Sequence, residues 1–260
     1  MKLRHQQITR YIMPMREGGS LPVLAEADDG FKYVVKLRGA GHGAKALIAE
    51  LIGGEIARAL GLNVPELVFL DLPHEFAITE PDFEVQELMK KSEGLNIGLH
   101  FLSSALAIDP YDNPVDAATA SAIVWLDAFL TNVDRTARNT NMLQWYNSEV
   151  WLIDQGASLY FQHSGTDAAK AALTPFPYIK DHLLLRKATM LAEADARAHR
   201  VLAPEKIDAI VDLIPDSWLV TEGEDVPPGE RRDVYRTFLK VRLENSKIFT
   251  DHAIEARKSL

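Results

Sequence analysis

Apolar and polar positions alternate over residues 6–37 with a period close to two, the spacing of half-buried strands. Ile8 to Met15 alternates loosely, Gly18-Gly19-Ser20 reads as a turn, and Leu21 to Ala25 resumes the apolar character. Asp28-Asp29-Gly30 predicts a hairpin turn, because Asp and Gly tolerate the positive φ that tight turns require. The next strand, Phe31 to Leu37, carries Lys36. The period then changes. Past the connector Gly39 to Gly43, Ile48, Leu51, Ile52, Ile56 and Ala59 recur at helical spacing, and Gly61 supplies a stop. Gly53-Gly54 costs roughly 1 kcal/mol per glycine in helix propensity, which points to close packing there. Asn63-Val64-Pro65 opens a strand, Leu67 to Leu70, and Phe76 to Thr79 with Phe83 to Leu88 predict a further strand pair. That sheet ends at Met89, ahead of the polar turn Lys90 to Gly94, which divides the chain into 1–90 and 91–260.

The second part reads as mostly helical. Asp116 caps a helix running to about Leu130, with Ala120, Ile123, Val124, Asp127 and Leu130 at core-like spacing. Asp127 is out of place on that face; it either accepts backbone N–H groups from the following loop or lies at the helix edge. Asn132 to Asn141 is too polar for a core element. Met142 to Trp145 and Glu149 to Ile153 predict a hairpin around Tyr146-Asn147-Ser148. Residues 157–182 are a mixed connector that could also cover a cleft, and residues 183–213 are helical in pattern, with Pro204 at a helix start. Residues 221–230 read as an acidic exposed loop. A last helix places Val234, Phe238, Val241 and Ile248 on one face and Arg232, Arg236 and Lys240 on the other, a basic stripe that reads first as solvated.

Composition narrows the choice of function. With 47% hydrophobic and 25% charged residues the chain is ordinary globular material. A net charge of −9 disfavours direct nucleic-acid binding, which needs a basic surface. The absence of cysteine removes disulfides, thiolate catalysis and cysteine zinc sites. The eight histidines lack metal-ligand spacing, and there is no Gly-x-Ser-x-Gly elbow or dinucleotide fingerprint. No apolar run approaches membrane-spanning length and no signal peptide is evident, so a cytoplasmic location is expected.

Candidate chemistry gathers between Leu126 and Leu159. Asp134 and Asn139 stand five residues apart in the polar loop, and the hairpin returns the chain so that Asp154 lies beside Asn139. A carboxylate that orients a hydroxyl, with an amide and a second carboxylate holding the Mg2+ that bridges ATP phosphates, are the parts of a phosphoryl-transfer site. Upstream, the turn Gly18-Gly19-Ser20 can offer backbone N–H groups to phosphate, and Lys36 a point charge. A glutamate on the first helix would fix that lysine. The helical wheel puts Glu55 in the apolar stripe and Glu50 nearly opposite. The segment crossing near Met89 would offer its backbone to adenine.

These residues together resemble the HipA-like kinases and, more distantly, the catalytic core of phosphatidylinositol kinases. The matching stretches are Asn132-Val133-Asp134 through Arg138-Asn139, the turn Asp154-Gln155-Gly156, Lys36 on its strand, and the run from Glu55 to Leu67, over roughly residues 15–160. Thr136 stands where those families usually carry histidine, and the chain is shorter than full-length HipA toxins. The resemblance implies an α+β, bilobal protein-kinase-like fold, with a small β-rich N-lobe and a larger, mostly helical C-lobe. It implies an ATP- and Mg2+-dependent kinase acting on Ser or Thr of a protein, with an antitoxin or regulatory protein as a further partner. Asp134 would be catalytic, Lys36 would hold phosphates, Asn139 and Asp154 would ligate Mg2+, and the helix glutamate would be Glu50. Ser20 is the nearest counterpart of the serine that HipA toxins autophosphorylate. The alternative is a pseudokinase that binds nucleotide or a partner without transferring phosphate.

Overall fold

The computed structural model describes residues 2–15, 21–112, 115–146, 149–221 and 223–260. The expected phosphate turn Gly18-Gly19-Ser20 and the hairpin tip Asn147-Ser148 lie outside the described residues. Strands β1 (Arg4–Pro14), β2 (Val23–Ala27), β3 (Lys32–Lys36), β4 (Leu67–Leu72) and β5 (Gly94–His100) close into a barrel in the order β1-β2-β3-β5-β4. The β1–β4 seam is parallel and the other pairs are antiparallel. Period-two alternation sends Tyr33 and Val35 of β3 into the barrel interior, where they meet Val23, Val68 and Leu70, and leaves Val34 and Lys36 on the other face.

Helix α1 (Ala44–Ala59) is buried without interruption from Leu47 to Ala57. It lies between the outer side of the barrel and the helical part of the chain, in a second core with Leu67, Ile97 and Leu99. The two glycines in its middle permit that approach. A Cβ on Gly53 would lie 2.7 Å from Cβ of Gln155, and one on Gly54 would lie 2.7 Å from Cδ1 of Leu67.

The strand pair expected at 76–88 is instead two helices, α2 (Glu75–Thr79) and α3 (Phe83–Lys91). Asp82 caps α3 by accepting from the N–H groups of Glu84 and Val85, and Lys90-Lys91 suit its C-terminal dipole. Nine residues span barely more than two helical turns, too few for the 3.6 period to separate from alternation. The sheet therefore does not end at Met89. Met89, with Ala77 and Val85, plugs the barrel interior, and β5 follows as one of the barrel's own strands.

Strand β6 (Leu106–Ala107) pairs with the predicted hairpin, β7 (Met142–Trp145) and β8 (Glu149–Leu152), in a three-stranded sheet. Between them runs α4 (Ala117–Leu130), capped by Asp116 as expected and buried continuously from Ile123. Short helices α5 (Phe161–Ser164) and α6 (Ala168–Ala172) and a 3-10 turn, Pro177–Asp181, occupy the connector. Then come α7 (Leu191–Val201), α8 (Pro204–Val211) and α9 (Asp216–Leu219). The expected single last helix is two, α10 (Pro228–Glu244) and α11 (Lys247–Lys258). The buried face of α10 is Tyr235, Phe238, Leu239, Arg242 and Leu243. That set is offset from the predicted face, in which Val234 is exposed. A buried arginine hides the true stripe: Arg242 donates to the carbonyls of Ala128, Phe129, Ala172 and Thr174, where α4 and α6 end. Nor is the basic stripe free in solvent. Arg232 pairs with Asp216 at 2.5 Å, Lys240 with Asp208 at 2.7 Å, and Arg236 with Asp212, which stitches α10 to α8 and α9, while Asp233 pairs with Arg236 within α10. Among the described residues no helix is long and apolar enough to cross a membrane.

Candidate functional site

The outer end of β3 and the end of β8 meet across one cleft. Lys36 Nζ lies 2.8 Å from Oδ1 of Asp154. Asp154 follows the hairpin in a left-handed conformation (φ 55), which Asp tolerates better than most residues. The hairpin is anchored just before it, where the Ile153 N–H donates to the carbonyl of Asn141 (3.0 Å). On the same side, Asn139 Nδ2 donates to Asp134 Oδ2 at 2.7 Å and Asn141 Nδ2 donates to the same oxygen at 3.1 Å. The structure thus brings Lys36, Asp134, Asn139 and Asp154 to one cleft and adds Asn141, which the Asp-x4-Asn spacing did not single out.

Both candidate glutamates are buried, Glu50 at 1% and Glu55 at 2% exposure. The wheel fails because α1 has no solvent face along this stretch. Glu55 pairs with Arg58 at 3.3 Å. Glu50 lines the cleft with Lys36, Asp134, Asp154 and Gly156, so geometry selects Glu50. Among the described residues its two carboxylate oxygens accept no hydrogen bond of normal geometry; the groups that favour its charge are Lys36 and, more weakly, the Gln155 backbone N–H and Arg135. Burial, reinforced by Asp154 and opposed by Lys36, raises its pKa to about 7. Burial works against the Lys36 ammonium too, but Glu50, Asp154 and Asp134 together outweigh it and hold its pKa above the ordinary value. Burial and the Asp154 charge likewise raise Asp134, although Asn141 and Asn139 oppose them.

The sign of the Glu50 effect is testable. A carboxyl whose folded pKa is raised from 4.5 to about 7 favours folding most below 4.5 and progressively less as pH rises to 7. Glu50→Gln therefore raises the unfolding temperature at pH 8 relative to wild type, and the gain shrinks at pH 5. Thermal melts at the two pH values check this; a loss of stability at pH 8 would contradict it.

Two recesses open from the cleft and share Lys36 and Asp154. One, of about 440 Å³, is lined by Val34, Leu99, Phe101, Leu102, Met142 and Ile153, with the chain leaving β5 along one wall. The other, of about 490 Å³, holds Glu50, Asp134, Gly156 and Tyr160. Met89, expected beside the nucleotide, lines neither. The chain beside the first recess is instead the stretch that leaves β5, residues 100–105, because β5 had first to complete the barrel.

Behind the polar loop lies a buried network that the sequence only hinted at. Asp127 accepts from Arg135 Nε (2.6 Å), from Asn132 Nδ2 (3.0 Å) and from His182 Nε2 (2.8 Å). His182 Nδ1 accepts the Leu184 N–H at 3.0 Å, which leaves the ring's Nε2–H as the donor to Asp127. Arg135 also donates to the carbonyl of Asn141 and to Gln155 Oε1. Of the two roles open to Asp127, neither holds: its partners are side chains. Thr136 makes a turn, its N–H directed at the carbonyls of Asp134 and Asn139. The imidazole behind the loop belongs to His182.

Among the described residues no group of three or more His, Asp or Glu is placed to hold a metal. Any metal here would depend on few protein ligands. Asn139 spends its Nδ2 on Asp134 and keeps its carbonyl oxygen, and Asp154 spends Oδ1 on Lys36 and keeps Oδ2. Two hard oxygen donors fit a small divalent cation completed by phosphate and water.

A family model described as HipA-like kinase matches residues 8–247, well beyond the 15–160 over which the motifs carried the resemblance. No curated protein matches the chain. Among solved structures, the proinflammatory kinase CtkA of Helicobacter pylori is 16% identical, with 98% of this chain and 99% of that one covered and a TM-score of 0.53. A Golgi casein kinase is 12% identical, with 99% and 74% covered and a TM-score of 0.50. At these identities the likeness is one of fold, and the fold is kinase-like. With nearly its whole length matched by the family model, the chain belongs to the HipA-like kinase family.

Proposed function

We propose that the chain is a two-lobed, ATP- and Mg2+-dependent kinase that phosphorylates Ser or Thr of a protein. One observation carries this: the Lys36–Asp154 pair at 2.8 Å faces the Asp134–Asn139 pair at 2.7 Å in one cleft. The apolar recess beside Val34, Leu99 and Met142 suits a nucleotide base, with the backbone of residues 100–102 along its edge. Lys36 then holds phosphate oxygens, and Glu50 supplies a negative charge near the ammonium besides that of Asp154. Asn139 and Asp154 would hold Mg2+, which would supply charge neutralisation for the phosphates. Asp134 accepts the hydroxyl proton as the acceptor oxygen bonds to the γ-phosphorus and the bond to the β-phosphate oxygen breaks, releasing ADP.

A thermal-shift series tests the binding half. A ligand at 100 times its Kd stabilises a fold by about 2.7 kcal/mol. ATP with Mg2+ raises the unfolding temperature more than ATP alone, and Asp154→Asn removes the Mg2+-dependent increment. Equal stabilisation with and without Mg2+ would count against the metal assignment.

A further inference from the structure

A groove of about 360 Å³ runs away from the cleft on the Asp134 side. Val133 and Tyr160 line both the recess that holds Asp134 and this groove, so the two adjoin at those side chains. Its floor is aromatic: Phe161 stacks on Phe238 with ring centroids 4.2 Å apart, and Phe176 is held between Pro175 and Pro177. Its rim is Tyr160 and Tyr178, 51% and 57% exposed, with hydroxyls of Thr131, Ser164 and Thr166 nearby. Among the described residues no charged side chain lines it. The groove is built by the connector between Asp154 and α7, the segment that sequence reading left as either linker or cover.

We infer that this groove receives an uncharged apolar side chain of the substrate polypeptide, within three residues of the phosphorylated Ser or Thr. The inference rests on the protein-kinase reading above and names what that substrate must look like. An acceptor hydroxyl at Asp134 fixes one point of the peptide. Extended chain advances about 3.3 Å per residue, so a neighbour within three positions reaches roughly 10 Å along the surface. Val133 adjoins Asp134 in the chain and already forms the wall of the groove. A Leu, Met or Phe side chain there replaces water against Phe161 and Phe176. An Asp or Lys side chain would lose hydration and find no opposite charge.

The test is transfer of label from γ-labelled ATP to synthetic Ser and Thr peptides in which each of the three positions on either side of the acceptor is varied in turn. At one position, Leu, Met or Phe is expected to exceed Asp and Lys by about 10-fold or more, the scale on which apolar pockets discriminate side chains. Two rim variants reverse that choice. Tyr178→Asp shifts the preference at that position towards Lys and Arg, and Thr166→Lys shifts it towards Asp and Glu, with the change falling on KM. Both side chains are exposed, so the fold should tolerate either, and melting temperatures verify it. Labelling that is flat at every position, or a preference that neither variant moves, overturns the groove assignment while leaving the kinase reading intact. Labelling of no peptide, with label reaching a non-protein hydroxyl instead, overturns the protein-substrate reading and the groove with it.

Discussion

Asp134→Asn lowers phosphoryl transfer by about 10²–10⁴-fold, the usual worth of a general base, while ATP-dependent stabilisation of the fold persists. The geometry separates the two effects. In the proposed mechanism Asp134 serves the acceptor hydroxyl, whereas Lys36 and the apolar recess would bind the nucleotide without it. Asn139 and Asn141 both donate to Oδ2, which leaves Oδ1 to accept a proton from an incoming hydroxyl. An asparagine there can still accept those amide N–H groups through its own oxygen, so the loop keeps its shape while the base is lost. Burial and the Asp154 charge raise the Asp134 pKa, so the acid limb of the free enzyme's pH profile lies above the ordinary aspartate range. Rates measured by label transfer, alongside melts with ATP, check both parts; unchanged turnover would remove Asp134 from the mechanism.

The largest effect on stability is expected at Asp127. Asp127→Ala leaves the Arg135 guanidinium, 1% exposed, without its counter-charge, a change typically costing about 3–5 kcal/mol. It also frees Asn132 and His182, and with them the loop that carries Asp134. Burial alone would raise the Asp127 carboxyl, but Arg135 and His182 hold it at about 2, below its ordinary 3.8. Its contribution is therefore complete above pH 3.8 and disappears as the pH falls through 2. Urea unfolding at neutral pH measures the cost. A loss under about 1 kcal/mol, the scale of an exposed ion pair, would show that the network does not hold the loop.

How much of this was legible depended on how local each signal was. The β3 strand with Lys36, the Asp116 cap and the hairpin delivering Asp154 are set by short-range alternation, capping and turn chemistry, and each is found where it was expected. The failures were of three kinds. α3 was too short for its period to show, so Met89 was assigned to a crossing segment when it fills the barrel. α1 is buried on all sides from Leu47 to Ala57, so a wheel built to find one apolar face favours Glu55 although Glu50 is buried as deeply. In α10 a buried Arg242, satisfied wholly by carbonyls from α4 and α6, broke the apolar pattern in a way only tertiary structure explains. Asp127 was the one useful anomaly: a carboxylate on an apolar helix face announces partners, but Arg135 and His182 come from separate stretches that no spacing rule joins.

In the proposed function this cleft transfers phosphate to a protein hydroxyl. Incubation of the purified chain with γ-labelled ATP, Mg2+ and a cell lysate, followed by acid hydrolysis and separation of the labelled amino acids, tests it directly. Label is expected as phosphoserine or phosphothreonine with the wild-type chain and none above background with Asp134→Asn. Wild-type protein that Mg2+ and ATP stabilise against heat, yet that places no label on any protein, would contradict it; the absence of label on small molecules as well would identify a nucleotide-binding module without transferase activity.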